Sequence, residues 1–370
     1  MFLKRFSVVL GGLSLVATLG CGSAEGLDEA SSVDQSREAI TGGWTTLTLT
    51  NGWQNWASNT PPAIGIVNGI VTFRGTLKAT SPTSDSPFTV PSQFRPSPNS
   101  LLNLPVAMSG GAMGTLFIEL NGKAHVVQDG VTPIGSAAKS LTSLDGVAYD
   151  QTEGDPLAEA GDWDFQYGCR QPPGAHVKNV GGFVRFQGLL VKTPVCTSAN
   201  YDGYLFNLPS AYRPGQTVFV PTHFGLGTGS GQSWGQLSIY SNGNVYTQGN
   251  PPAANCGTSL EGVFFSLTNS GNINVPLSNG WQAYSARAVK VGKYGDVVRF
   301  QGAISGGTST TIGTLPTGYR PPKTVYLVAA AYSPVPARIV INTSGVMTVD
   351  TPQLSVATLL LSLDGVSFAL

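Results

Sequence analysis

Val298-Arg299-Phe300-Gln301-Gly302 reads as one short strand and its exit. Val298, Phe300 and Gly302 alternate with Arg299 and Gln301, the period-two pattern of a strand with one face buried. The same apolar-x-aromatic-x-Gly run occurs twice earlier, as Val71-Thr72-Phe73-Arg74-Gly75 and Val184-Arg185-Phe186-Gln187-Gly188. The three glycines stand 113 and 114 residues apart. Other landmarks keep the same order around each run. A tryptophan opens each copy (Trp53, Trp163, Trp281), and an aromatic-Arg-Pro follows the glycine (Phe94-Arg95-Pro96, Tyr212-Arg213-Pro214, Tyr319-Arg320-Pro321). Leu-acid-Gly-Val-x-aromatic then closes it, at Leu144 to Tyr149, Leu260 to Phe265 and Leu363 to Phe368. Ordered recurrence of this kind marks an internal repeat.

The third copy shows what one unit should be. Tyr326 and Val328 belong to one strand, Ile339 and Ile341 to another, and Asn342 to Gly345 supplies a hairpin turn before Val346 and Val349. Alternation slips across the two residues Asp364-Gly365, which predicts a β-bulge. Several short strands in a unit of this size build a two-sheet sandwich with its own core. The expected fold is therefore all-β: three tandem antiparallel, jelly-roll-like β-sandwich domains over residues 43–150, 161–268 and 275–370. Thr152 to Gly161 and Asn269 to Asn274 read as linkers. Composition agrees, with 47 Gly, 25 Pro and only 11% charged residues, too few to coat the outer faces of long helices. Basic and acidic residues balance at 20 each and form no basic stripe, so nucleic acid is not an expected partner.

The start of the chain reads as an address. Lys4 and Arg5 precede an apolar run from Phe6 to Leu19, the layout of a secretory signal over residues 1–20. Thr18-Leu19-Gly20-Cys21 resembles the bacterial lipobox, although Thr18 and Leu19 depart from its usual residues. The resemblance implies cleavage before Cys21 and its lipidation, hence export and a lipid anchor at the bacterial envelope, on the outer membrane or cell surface. An ordinary secretory signal, cut further on, is the other reading. Residues 21–42 are small, polar and acidic, a composition that predicts a disordered tether. Cys169, Cys196 and Cys256 are disulfide candidates in an oxidising compartment, with all three pairings open. They form no CxxC pair, and no metal or cofactor is expected.

Asn279-Gly280-Trp281, Gly295 to Gly302, Thr314 to Pro321 and Leu363 to Phe368 together resemble the C-terminal domains of phage tail-fibre and minor tail proteins. The likeness covers most of residues 277–370 and weakens through the second copy to the first. It implies a β-sandwich at the tip of a projecting protein, used in binding surfaces and often acting as a trimer, so a homotrimer is one expected assembly. It carries no catalytic residues. Gly231-Gln232-Ser233-Trp234-Gly235 fits a nucleophile-elbow pattern, but no helix and no histidine follow it. Asp145, Glu261 and Asp364 recur once per copy, which predicts a structural duty such as pairing with Arg95, Arg213 and Arg320. Sugar rings stack on exposed aromatic faces while amides and hydroxyls bind their rims. Trp234 with Gln232, Ser233 and Gln236, and Tyr201 with Tyr204, are the candidate ligand-binding residues on that ground. The expected function is non-enzymatic binding of a glycan or another envelope polymer. A structural spacer or protein-binding module is the alternative, and an envelope hydrolase the third reading.

Overall fold

The computed structural model describes residues 43–370 except 58–60, 97–100, 130–133, 159–162, 165–173, 193–202, 226–232, 250–256, 268–271, 286, 333–334 and 351–353. Cys21, Cys169, Cys196, Cys256, Tyr201, Gln232 and the expected signal and tether lie outside them. The described residues are all-β, and all the strand pairings among them are antiparallel. Each repeat builds a four-stranded sheet and a larger one. In the third repeat the small sheet runs in the order Ile273–Asn274, Lys290–Tyr294, Val297–Gln301, Ser367–Ala369. The large sheet runs Gln282–Ala283, Ala303–Ser305, Leu361–Ser362, Val325–Ala331, Val335–Ile341, Val346–Asp350, Thr311–Thr314. The second repeat has the same seven-stranded order, and the first has six, with a lone Thr89–Lys123 bridge in the remaining place. No helix among the described residues is long and apolar enough to cross a membrane.

The recurrent motifs are the joints between the two sheets. Phe73, Phe186 and Phe300 point into their own sandwich cores and are fully buried, each worth ~1.5–3 kcal/mol of burial. The glycine after each of them leaves the small sheet for the large one, with φ of +103°, +109° and +104° at Gly75, Gly188 and Gly302. The closing motif carries the chain back. Its acid-Gly pair is a tight turn between two sheets, Leu361–Ser362 in one and Ser367–Ala369 in the other, and not the β-bulge that the slipped alternation predicts. A change of sheet and a bulge both shift which residues face inward, so sequence cannot separate them.

The acids do share one duty, and it is not the expected one. Asp145, Glu261 and Asp364 accept the backbone N–H of Gly75, Gly188 and Gly302 at 2.8, 2.9 and 2.9 Å, locking the two corners of each repeat together. The arginines act elsewhere. Arg95, Arg213 and Arg320 each donate Nε–H to a carbonyl five residues back, Val90, Leu208 and Leu315, at 3.4, 2.8 and 2.9 Å. Each also packs on a hairpin glycine, Gly122, Gly243 or Gly345. Trp53 and Trp281 are buried core residues whose indoles donate to Ser84 and Ser309 carbonyls at 3.0 and 2.9 Å. Trp163 lies in a short strand paired with Val191 and Lys192.

The expected linkers are partly strand. Asp155–Pro156 pairs with His176 and Val177, and Ile273–Asn274 pairs with Lys290 and Val291, so these stretches belong to the second and third repeats. They match Thr45–Thr46 of the first, which pairs with Ala63 and Ile64. Each repeat has its own apolar cluster, yet Arg37–Leu370 forms one compact unit. Three equivalent strands, Leu102–Met108, Val218–Phe224 and Val325–Ala331, touch pairwise and define a pseudo-threefold axis. One row of their side chains enters the parent sandwich. The other row meets at the axis, where Ala107, Ala330, Met113 and Trp234 form a cluster shared by all three repeats.

Candidate binding clefts between the repeats

The ring sets the end of each repeat against the small sheet of the next. First against second, the junction is bridged by charge. Asp150, on the last strand of the first repeat, receives Arg185 Nε at 2.7 Å and Lys178 Nζ at 2.9 Å from the second. Burial alone would raise the Asp150 pKa, but the two cations outweigh it and hold the carboxyl below its usual range. Each of the other two junctions holds a cleft. Between the second and third repeats lies a cleft of ≈ 320 Å³ whose polar lining includes Gln216 and Ser266 on one side and Arg287, Lys290 and Gln301 on the other. Between the third and first lies one of ≈ 190 Å³, with Lys323 facing Trp44 and Arg74.

Deep in these junctions the charge balance differs from repeat to repeat. Asp145 meets Lys323 at 3.4 Å, and Asp364 is bonded by Arg287. Glu261 has no ion pair among the described residues. Its burial pushes its pKa up to about 8, with Asp150 adding to the rise and the Gly188 N–H, Arg185 and Lys178 opposing it. Arg299, the third-repeat counterpart of Arg185, meets no acid in contact among the described residues. It lies over Phe183 at 4.2 Å and Tyr294 at 5.0 Å, and burial, helped by repulsion from Arg185, lowers its pKa to about 9.

The sequence-predicted residues that are described do not converge. Trp234 is 8% exposed and packs at the axis rather than into a loop. Gln236 is buried and donates to Gln248 Oε1 at 3.1 Å. Ser233 opens the strand Ser233–Ile239, next in register to Phe224, while His223 pairs with Trp234 on the opposite face. Alternation thus separates this serine from the histidine beside it. Tyr204 is different. It faces Tyr246 on the neighbouring strand with ring centroids 5.2 Å apart, and Tyr240 stands edge-on to Tyr246 at 5.7 Å. Tyr240 is 38% exposed.

Sequence reasoning missed Tyr240 and Tyr246, though Tyr240-Ser-Asn-Gly-Asn is a hairpin signal that would have placed them on one turn. It also missed the His125 ring held between Asp85 at 3.0 Å and Glu119 at 3.1 Å. Among the described residues no group of three or more His, Cys, Asp or Glu could hold a metal ion. The fold and the clefts define an all-β protein of three repeats closed about one axis. No protein-family model, no curated protein and no solved structure matches the chain.

Proposed function

We propose that this chain is a non-enzymatic envelope or cell-surface lipoprotein that binds carbohydrate or another surface polymer. The observation that carries the reading is the tyrosine group of the second repeat, Tyr204, Tyr246 and Tyr240, set on adjacent strands with Tyr240 open to solvent. Phenol rings held by one another lose little freedom when a sugar stacks on them. The likeness of residues 277–370 to tail-tip domains points the same way. Anchoring through Cys21 would present this face from a membrane surface without crossing it.

A glycan array probed with the full-length protein tests the reading, with Tyr246→Ala beside it. We expect at least one glycan or envelope fraction to be retained, and its binding to weaken about tenfold in the variant, the loss of one good stacking contact. Retention of nothing by the unaltered protein would overturn the proposal and leave the spacer role.

A further inference from the structure

We propose that the cleft between the second and third repeats is a subsite for an anionic group carried on a sugar, a carboxylate or a phosphate. This rests on the surface-polymer reading and adds the charge of the polymer. The cleft is walled by two cations with unequal duties. The Arg287 side chain is 9% exposed and bonds the Asp364 carboxylate through Nη2, while its buried Nη1 has no partner among the described residues. A buried guanidinium donor left without an acceptor is unfavourable, and an incoming oxyanion is the group that relieves it best. Lys290 enters the same cleft from the strand Lys290–Tyr294 and makes no ion pair among the described residues. Asp364, the acid nearest by bonding, is already taken up by Arg287, the Gly302 N–H and the Ser362 hydroxyl.

Gln216, Gln301 and Ser266 complete the polar wall with amides and a hydroxyl, groups suited to sugar hydroxyls. The related cleft between the third and first repeats also holds two cations, but from other places in the repeat. Arg74 stands where the third repeat has Gln301, and Lys323 where the second has Gln216. The chain as a whole has no net charge, with 20 basic and 20 acidic residues. In the cleft between the third and first repeats Lys323 is already met by Asp145 at 3.4 Å, so it is the cleft between the second and third repeats, with Lys290 in no ion pair among the described residues, that suits an added anion.

The test is binding of the full-length protein to polygalacturonate, a phosphomannan and neutral dextran, at low and moderate salt. Lys290→Glu is the main variant, because the half-buried Lys290 side chain makes no ion pair among the described residues, whereas Arg287→Ala would strip Asp364 of its cation. We expect one or both anionic polymers to bind better than dextran, more weakly as salt rises, and about tenfold more weakly in Lys290→Glu at an unchanged melting temperature. Preference for polygalacturonate assigns a carboxylate, and preference for phosphomannan a phosphate. Dextran binding as tightly as the anionic polymers, or anionic binding that Lys290→Glu leaves intact, overturns the subsite while the polymer reading stands. Binding of none of the three also overturns it, and the glycan array then decides the wider reading independently.

Discussion

Glu261 shows how far one position can drift inside a repeat while keeping its task. Like Asp145 and Asp364 it accepts a glycine N–H, but its extra methylene carries the second oxygen into a place with no partner among the described residues. Desolvation therefore dominates and lifts its pKa from 4.5 to about 8. A carboxyl whose folded pKa is raised favours folding while it stays protonated in both states, and that contribution is lost as pH climbs from the unfolded value through the folded one. The loss should fall between about pH 4.5 and pH 8. Glu261→Gln keeps an acceptor for Gly188 and cannot ionise. Its melting temperature should match the unaltered protein's near pH 4 and exceed it at pH 8, in thermal scans across that range. A constant difference would show that Glu261 does not titrate there. The recurrence of an acid at this position is plain in the sequence. Its partner is not, because the glycine N–H is a backbone group that no side-chain pattern announces, whereas an arginine in every copy is an obvious and wrong candidate.

At the scale of elements, the apolar-x-aromatic-x-Gly strand is legible because its alternation is local and its glycine is needed. A Cβ on Gly302 would stand 2.5 Å from the Ala288 carbonyl oxygen, and φ of +104° is strained for any L side chain. The same close approach recurs at Gly75 against Pro62 and at Gly188 against Gly174. Gly302→Ala should therefore destabilise the protein by roughly 2 kcal/mol or more, read by chemical denaturation, while Gly318→Ala, where a Cβ meets nothing within 4 Å, should cost far less. Equal effects would remove the corner from the account. What alternation cannot reveal is which outer face is really outer. Pro105, Pro221 and Val328, or Ala107, His223 and Ala330, form rows as mixed as any solvated face, and the neighbouring repeats cover them wholly or in part. Trp234 belongs to that group, so a loop-side tryptophan proves to be a packing residue. The clefts escape sequence reading for the same reason, since Gln216 and Arg287 come together only when two repeats dock.

For the whole molecule, the question is whether three sandwiches fold as three or as one. Each has an apolar cluster large enough to stand alone, and repeats of this size can melt independently when their junctions are thin and polar. These junctions are not thin, and their polar contacts are buried and paired. Trp234 of the second repeat packs with Ala107 and Met113 of the first and Ala330 of the third, Ser259 donates to the Asn103 carbonyl at 2.9 Å, and Arg338 reaches the Met108 carbonyl. Asp150 ties the first repeat to two cations of the second in a site from which water is nearly excluded. Removing that carboxylate leaves two cations without their counter-charge, Arg185 almost fully buried, at a cost of about 3 kcal/mol. If the repeats were independent, Asp150→Asn would lower one melting transition of three. With the ring closed, unfolding one repeat exposes faces of both others, so scanning calorimetry should show one transition whose calorimetric and van't Hoff enthalpies agree. Asp150→Asn should then move that whole transition down by several degrees. Separate transitions in the unaltered protein, or a variant that shifts only part of the heat absorbed, would mean that the axis is a contact between neighbours and not a shared core.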